Sequence, residues 1–256
     1  MSFWTEKRLD GGVCVLEFAN EPTGAMPVAG MAELHKTVDS LAGDSDIKAL
    51  VITGAQDGIF IAHADIGDLI KIGRREETGA DPASWYMATI GLAAFPAPTI
   101  AAINGQAWGG GLEVALCADI RFAARSASLG QPEIRAGIIP GAGGTQRLSK
   151  LVGKAKAAEL IFEGRVIDAA EALSIGLVNR VYEDSSLMDA TLEYASNLAR
   201  YSAEALRSAK TAISSSDVQI AEGLSLESRL FSKLLPSDEA QELLAAILAD
   251  GGQFGD

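Results

Sequence analysis

Histidine and cysteine are scarce in this chain of 256 residues, which contains only His35, His63, Cys14 and Cys117 of these types. No His-x-x-x-His or Cys-x-x-Cys spacing occurs, so the sequence does not favour a structural zinc site and we expect no metal. Both cysteines lie in apolar stretches. This placement favours two buried thiols in a reducing cytoplasm, although a disulfide between them is not excluded.

Basic residues are also few, with 21 Lys and Arg against 34 Asp and Glu and a net charge of -13. Nucleic acids and anionic membrane surfaces select basic faces, so we expect neither as a partner. No apolar run approaches the length of about 20 residues that spans a bilayer. The charged start of the chain, residues 1–10, does not resemble a signal peptide. These features together predict a cytoplasmic globular protein.

Several motifs of common enzyme classes are missing. No Gly-x-Ser-x-Gly elbow of a serine hydrolase occurs, and no Gly-x-Gly-x-x-Gly of a dinucleotide site follows the first predicted strand. The glycine-rich loop at 137–145 is not followed by the Gly-Lys-Ser/Thr of a phosphate-binding loop. The chemistry that remains uses carboxylates and backbone donors, which indicates acid–base catalysis beside an oxyanion hole.

The most informative stretch of the sequence runs from 98 to 113. Its apolar first half, Pro98–Ile103, predicts a buried strand, and Asn104–Gly105 predicts a turn. Gly109–Gly111 then open a predicted helix, whose first N–H groups have no partner within the helix and attract a negative oxygen. Glu113 lies in the first turn of that helix. The same pattern also fits glycines that only permit close packing and a glutamate that only favours a helix N-terminus.

The remaining patterns predict strands mixed with helices up to about residue 185 and helices thereafter, so we divide the chain into regions 1–185 and 186–256. Asp65 and Thr145 are predicted N-caps. The predicted strands are Phe3–Leu9, Val13–Ala19, Ile47–Thr53, Asp119–Ala124 and Leu177–Tyr182, and residues 60–66 form an apolar segment that turns into a helix. The predicted helices are 27–41, 85–95, 154–162, 169–173, 187–200, 202–213, 217–235 and 237–249, with a surface loop at 74–83.

Three blocks of the sequence together resemble one family. They are Phe-Ile-Ala-His-Ala-Asp-Ile at 60–66, the stretch 102–113 with its Asn-Gly and Gly-Gly-Gly-Leu-Glu, and 131–148 with Gln-Pro-Glu and Gly-Ala-Gly-Gly-Thr. In this order and spacing they resemble the crotonase (enoyl-CoA hydratase/isomerase) superfamily. Among the members of that superfamily, the chain most resembles an enoyl-CoA hydratase. A fourth stretch, 165–179, looks like the segment before that family's helical tail.

The resemblance implies an α/β fold, a crotonase-like spiral of strand–strand–helix turns that carries the acyl-CoA site in 1–185, with a C-terminal helical trimerisation region in 186–256. It implies a homotrimer or a hexamer built as a dimer of trimers. Its substrate would be an acyl-CoA thioester of fatty acid β-oxidation, with coenzyme A as part of the substrate and no separate cofactor.

The resemblance also assigns roles to single residues. The N–H groups of Ala64 and Gly110 would form the oxyanion hole, and Glu113 and Glu133 would be the catalytic acid–base pair. The implied reaction is syn addition of water to a 2-trans-enoyl-CoA, giving a 3-hydroxyacyl-CoA. In this mechanism Glu113 activates the water and neutral Glu133 supplies the α-proton. The residues that would contact substrate are Ala62, Ala64, Asp65, Ile66, Gly109, Gly110, Pro132 and Gly141.

Alternative reactions remain open at this point. A 3-enoyl-CoA (delta3-delta2) isomerase needs one carboxyl, so the presence of both Glu113 and Glu133 favours hydration. Another crotonase-type acyl-CoA lyase or hydrolase would use the same oxyanion hole. A non-enzymatic acyl-CoA-binding homologue would be expected to lack a glutamate or the glycines.

The chain departs from the family pattern at several positions. His63 replaces a small residue beside the oxyanion donor and could contact the thioester or simply pack. Gly67 stands where many hydratases carry a lysine, residues 20–26 keep only fragments of an Asn-Ala pattern, and 251–256 lack basic residues. These differences leave the contacts to the CoA phosphates open. Trp85, Tyr86 and Met87 lie where the acyl-chain wall is expected, whereas Trp108 is predicted to be core.

Overall fold

A computed structural model describes residues 2–214 and 220–252. Within these ranges the chain forms ten strands and eleven α-helices. The strands are β1 Trp4–Leu9, β2 Val13–Phe18, β3 Ala49–Gly54, β4 Gly58–Ile61, β5 Thr99–Ile103, β6 Gly105–Trp108, β7 Ile120–Ala124, β8 Ser128–Gly130, β9 Val166–Asp168 and β10 Arg180–Tyr182. The helices are α1 Val28–Ala42, α2 Ile66–Gly73, α3 Ser84–Ala93, α4 Gly110–Ala115, α5 Gly144–Val152, α6 Lys154–Glu163, α7 Ala169–Ser174, α8 Leu187–Leu198, α9 Ala203–Ser214, α10 Ile220–Leu234 and α11 Asp238–Ala249.

The larger sheet has the strand order β1-β2-β3-β5-β7-β10 among the described residues. β1 and β2 form the predicted antiparallel hairpin, with Trp4 opposite Phe18 and Leu9 opposite Val13, and the other neighbours are parallel. β5 is buried along its whole length, and β3 along all but its last residue. This burial explains their unbroken apolar sequences, because strands covered on both faces do not alternate. The predicted mixed α/β fold is confirmed.

A second sheet, ordered β4-β6-β8-β9, was not predicted from the sequence. The expected turn at Asn104–Gly105 is wrong, because the chain passes directly from β5 in one sheet to β6 in the other. Asn104 joins the sheets: its side chain bonds the N–H and the carbonyl of Gly54 and the carbonyl of Gln56. The strands of this sheet have three or four residues, too few for an alternating pattern to be visible.

Two other predictions about helix starts have opposite outcomes. Asp65 caps α2 as predicted, and its side chain accepts a hydrogen bond from Asp68 N. Thr145 is not the cap of α5: Gly143 holds that position with a φ of 109°, and Thr145 lies inside the helix.

The predicted strand 177–182 shortens to β10, because Leu177 N and Val178 N still bond to the α7 segment. The predicted helical residues 217–219 lie outside the described residues.

The C-terminal helices α8 and α11 pack on strands and helices of the preceding region, 1–185. α11 contacts α2 and the 3₁₀ turn Pro132–Ala136, and α8 covers β3, β5 and β7. A small apolar cluster joins these elements: Ile66, Ile70, Ala136, Ile138, Leu235, Ala240, Leu244 and Ile247. The division into 1–185 and 186–256 stays a prediction. Across the described ranges, no helix is both long and apolar enough to cross a membrane.

Candidate active site

A cavity of about 280 Å³ lies between α2, α3, α4 and α10. It collects residues that the sequence had singled out in separate blocks. Of the predicted catalytic, oxyanion and substrate residues, those that line it are Ala64, Ile66, Gly109, Gly110, Glu113, Glu133 and Gly141. The fold therefore brings residues of all three sequence blocks to one cavity.

The first candidate oxyanion donor is the N–H of Ala64. The peptide group that carries it is fixed from its other end, because Met26 N donates to the His63 carbonyl at 2.7 Å. The carbonyl and N–H of a trans peptide point in opposite directions, so this bond turns the Ala64 N–H away from Met26. Among the described residues, the Ala64 N–H has no protein acceptor.

The second donor is the N–H of Gly110, the first residue of α4. The carbonyl of Gly109, in the same peptide group, accepts from Glu113 N at 2.9 Å along the helix axis. The Gly110 N–H therefore points out of the helix N-terminus, and no acceptor for it occurs in the described chain. A Cβ built on Gly110 would lie 3.3 Å from the Ala64 Cβ, so the two donors are neighbours.

The three glycines that begin α4 are required by different neighbours. Gly109 has a φ of 49° and a ψ of −120°, a conformation that favours glycine. A Cβ on Gly111 would lie 2.0 Å from the carbonyl oxygen of Ile61, which is backbone and cannot move aside. A Cβ on Gly110 would meet the Trp85 ring at 2.6 Å. The glycines therefore permit close packing and also leave the Gly110 N–H open at the helix N-terminus, so both predictions for this stretch hold.

Glu113 is 3% exposed and extends from α4 towards the start of α5. Its Oε1 accepts hydrogen bonds from Ala142 N at 2.7 Å and Gly144 N at 2.8 Å. Burial raises the pKa of Glu113 to about 8, and the nearby charge of Glu227 adds to the rise. The two backbone donors and Arg147 oppose it. The carboxyl can therefore exchange a proton near neutral pH.

Glu133 lies on the other side of Gly109, in the 3₁₀ turn after β8. Its Oε1 would be 2.9 Å from a Cβ on Gly109, and the side-chain nitrogen of Gln131 donates to its Oε1 at 2.8 Å and its Oε2 at 3.1 Å. Burial raises the pKa of Glu133 well above its ordinary value, and the charge of Glu113 adds to this. Two buried carboxyls, Glu113 and Glu133, thus line the same cavity as the Gly110 donor.

A third buried carboxyl, Glu227 on α10, was missed by the sequence analysis. It is 3% exposed, and it accepts hydrogen bonds from Gly143 N at 2.5 Å, from Thr145 N at 2.8 Å and from the Thr145 hydroxyl. Burial raises its pKa, while these donors oppose the rise. A signal was available: Glu227 shares the helix face of Leu224 and Phe231, three residues after one and four before the other.

The apolar wall of the cavity is partly as predicted. Trp85 and Tyr86 line it, but Met87 is exposed and does not. Phe231, from α10, was not anticipated; a Cβ on Gly141 would lie 2.8 Å from its ring. Trp108 is only half-buried, and its ring nitrogen donates to the Ser128 hydroxyl, so it is not a full core residue.

His63 also lines the cavity, and burial lowers its pKa. Its Nδ1 donates to the Ala64 carbonyl at 2.8 Å, so the ring packs against the segment that holds the first donor. Ala62, Asp65 and Pro132 are not among the lining residues, and their contact with substrate stays a prediction. Within the described ranges, no group of three His, Cys, Asp or Glu side chains could hold a metal ion. Cys14 and Cys117 are both buried and free, as predicted.

Sequence comparison adds an independent finding. The family model described as "Enoyl-CoA hydratase/isomerase" matches residues 8–249. The chain is 41% identical over 220 residues to the Mycobacterium tuberculosis protein named "Probable enoyl-CoA hydratase echA8", covering 85% of this chain and 84% of that protein. It is 40% identical over 218 residues to the mitochondrial methylglutaconyl-CoA hydratase of Homo sapiens, covering 83% and 64% of the two chains.

Solved structures agree with the sequence comparison. The enoyl-CoA hydratase/isomerase of Pseudoalteromonas atlantica superposes with a TM-score of 0.87 at 28% identity, covering 97% of this chain and 98% of that one. The enoyl-CoA hydratase of Bacillus anthracis gives a TM-score of 0.77 at 32% identity, covering 97% of each. With the cavity, the paired N–H donors and the buried glutamates, these matches establish that the chain is an enzyme of the enoyl-CoA hydratase/isomerase family, in the crotonase superfamily, and most like an enoyl-CoA hydratase.

Proposed function

We propose that this enzyme adds water to 2-trans-enoyl-CoA thioesters with syn stereochemistry and releases 3-hydroxyacyl-CoA. The observation that carries the proposal is that two buried carboxyls, Glu113 and Glu133, line the same cavity as the Gly110 donor. Hydration needs one group that takes a proton from water and one that delivers a proton to carbon, both within reach of the same substrate.

The thioester carbonyl would lie between the N–H groups of Ala64 and Gly110. As water attacks the β-carbon, negative charge moves onto this oxygen and the thioester becomes an enolate. Donors that are already aligned stabilise the enolate without reorganising, and the loss of one such donor typically costs about 10²–10³ in rate. The apolar surroundings, including Trp85 and Phe231, strengthen both hydrogen bonds by excluding water.

The hydrogen bonds of the two carboxyls support different roles. Burial keeps Glu113 mostly neutral below about pH 8, but two backbone N–H groups and Arg147 favour its charged form, so Glu113 is the carboxyl that ionises and acts as the general base that activates water. Glu133 is held by one side-chain amide, and burial together with the charge of Glu113 favours its neutral form. Glu133 is then the acid that supplies the α-proton. Paired carboxyls with separated protonation states are the usual basis of such a division.

An isomerase that moves the double bond of a 3-enoyl-CoA is the second candidate. That reaction takes a proton from one carbon and returns it to another, so one carboxyl is sufficient. The presence of both glutamates in one cavity favours hydration, since an isomerase would leave one of these buried carboxyls without a task. Another acyl-CoA lyase or hydrolase reaction would use the same donors.

The test is the hydration of crotonyl-CoA, followed by the loss of absorbance of the conjugated enoyl-thioester. We expect turnover by the wild type and a loss of at least about 10²-fold in both Glu113→Gln and Glu133→Gln. Glu193→Gln on the exposed side of α8 is the matched control and should keep full activity. A wild type that binds CoA esters but does not hydrate 2-enoyl-CoAs of any length would refute the proposal, and turnover of 3-enoyl-CoA would then support the isomerase.

The relatives suggest a wider substrate panel. One of them is named for methylglutaconyl-CoA, a methyl-branched acyl thioester. We therefore propose linear and branched 2-enoyl-CoAs as the class to test, with relative kcat/KM as the measurement. A role in fatty acid β-oxidation and a cytoplasmic location stay predictions.

We also propose that the enzyme assembles as a trimer or as a hexamer of two trimers, as its resemblance to the family implies. Large apolar side chains that are more than half exposed in the single chain support an assembly: Phe162, Tyr201 and Ile213. Light scattering after size-exclusion chromatography measures the mass directly. A monomer at micromolar concentration would contradict the proposal.

A further inference from the structure

Four consecutive backbone N–H groups at the start of α5 are shared between two buried carboxylates. Ala142 N and Gly144 N donate to Glu113, whereas Gly143 N and Thr145 N donate to Glu227. The donors alternate strictly between the two carboxylates along one short segment, 142–145. We call this segment the amide ladder.

The two sets of hydrogen bonds are coupled through the backbone of the amide ladder. Each N–H shares its peptide plane with the carbonyl of the preceding residue, so a rotation that moves the Gly143 N–H also turns the planes on either side of it. Gly143 has a φ of 109° and connects the two halves of the amide ladder. The carbonyl of Ala142 is held in turn by Arg147 Nη1 at 2.8 Å.

We propose that Glu227 is a positioning residue of the active site, which keeps the amide ladder in the one conformation that presents Ala142 N and Gly144 N to Glu113. Glu227 is not among the residues that line the cavity, and its hydrogen-bond donors are Gly143 and Thr145. It acts through Glu113, and its function as a positioning group rests on the function proposed above.

The position of Glu227 on α10 extends this role. The same helix lines the cavity with Ser228, Phe231 and Ser232, so one rigid element carries both the wall of the substrate cavity and the anchor of the amide ladder. A shift of α10 along its axis would change the shape of the cavity and the orientation of Glu113 together.

Three charged or titratable groups interact electrostatically with Glu227. Glu113 and Glu133 are the acidic ones, and Arg147 of α5 is the basic one. Because the charge of Glu227 opposes ionisation of Glu113, its removal lowers the pKa of Glu113. Loss of the charge and loss of the geometry therefore have separate signatures.

Two variants separate these effects in the intact enzyme. Glu227→Gln removes the charge, and we expect kcat to fall at least about tenfold, KM to change less than about threefold, and the rising limb of the pH–rate profile to move to lower pH. Glu227→Asp keeps the charge but withdraws the carboxylate by one methylene. It should lower kcat to a similar degree and leave the rising limb where it is.

Glu239→Gln, an exposed acid in the first turn of α11, is the matched control and should change neither quantity. If Glu227→Gln does not fold, Thr145→Val removes only the hydroxyl donor to Glu227 and should still lower kcat about two- to fivefold at unchanged KM.

An infrared titration measures the pKa of the Glu113 carboxyl without any substrate, and so measures how Glu227 affects it. The Glu113 band is identified by subtraction of the Glu113→Gln spectrum. We expect the midpoint to fall in Glu227→Gln and to stay in Glu227→Asp. A lower melting temperature with an unmoved midpoint, an unmoved pH limb and an unchanged kcat would show that Glu227 is only structural, and would overturn the inference. If the wild type hydrates no enoyl-CoA, the proposed function fails, but the infrared titration still tests Glu227.

Discussion

Replacement of Glu113 by glutamine should stabilise the folded enzyme at alkaline pH and destabilise it at acidic pH. Burial raises the pKa of this carboxyl to about 8, against an ordinary value of 4.5. Between these two values the folded chain binds a proton that the unfolded chain releases, so the stability of the wild type falls as the pH rises from 4.5 to 8 and is level above 8. Glutamine does not titrate, and its contribution is independent of pH.

The size of the effect follows from the width of that window. Each unit of pKa difference corresponds to about 1.4 kcal/mol, so ionisation of Glu113 costs the folded state on the order of 5 kcal/mol above pH 8. Glutamine retains an oxygen for Ala142 N and Gly144 N, but it adds a buried NH₂ group that costs about 1–3 kcal/mol at every pH. The two stability curves should therefore cross between roughly pH 5 and 7.

Thermal denaturation of both proteins from pH 5 to 9 measures this difference. In a domain of this size about 1 kcal/mol corresponds to 2–4 °C in Tm, so a change of several degrees in the difference between the two proteins is expected across the range. Glu193→Gln, which removes an exposed carboxyl, should run parallel to the wild type at all pH values. A constant difference between Glu113→Gln and the wild type would refute the reasoning, since it would mean that Glu113 titrates alike in the folded and unfolded chains.

Three further substitutions give simpler outcomes. Gly111→Ala should abolish soluble folded protein or lower Tm by more than about 5 °C, because its Cβ would be 2.0 Å from the Ile61 carbonyl oxygen; a normal melting curve would contradict the close approach. Lys210→Met removes the buried ammonium 2.7 Å from Asp119, and urea denaturation should show a loss of about 1–3 kcal/mol, whereas an unchanged midpoint would mean that the pair adds nothing. Trp85→Ala removes part of the cavity wall and should raise kcat/KM for long relative to short 2-enoyl-CoAs about tenfold; an unchanged ratio would place the acyl chain elsewhere.

The sequence predicted the parts of the fold that depend on long apolar patterns. The β1–β2 hairpin, the buried strands β3 and β5 and the amphipathic helix α1 were all expected from periodicity within about two or three residues of their observed bounds. The second sheet was not, since β8 and β9 have three residues each and their pairing joins positions 36 to 40 residues apart. Tertiary contacts decide such short strands, and local sequence carries little trace of them.

The candidate site shows the same division. Glycines and glutamates in family-like blocks pointed to Ala64, Gly110, Glu113 and Glu133, which the structure brings to one cavity. Thr145 was recognised as important for the wrong reason: its hydroxyl bonds Glu227 rather than capping α5. Glu227 lies in a helix without any motif, and only the folded chain shows that its carboxylate meets the amide ladder.

The contact between Thr145 and Glu227 can form only late in synthesis of the enzyme, because the two residues are far apart in the chain. The two residues are 82 positions apart, and a ribosome adds about 5–20 residues per second. Glu227 is therefore synthesised roughly 4–16 s after Thr145. In that interval Gly143 N and Thr145 N lack the carboxylate that accepts from them in the folded chain. A nascent chain that ends before α10 contains the glycine helix and the two proposed acid–base residues, but it lacks Ser228, Phe231 and Ser232 of the cavity wall. Catalytic competence would be acquired in a single late step, when α10 docks.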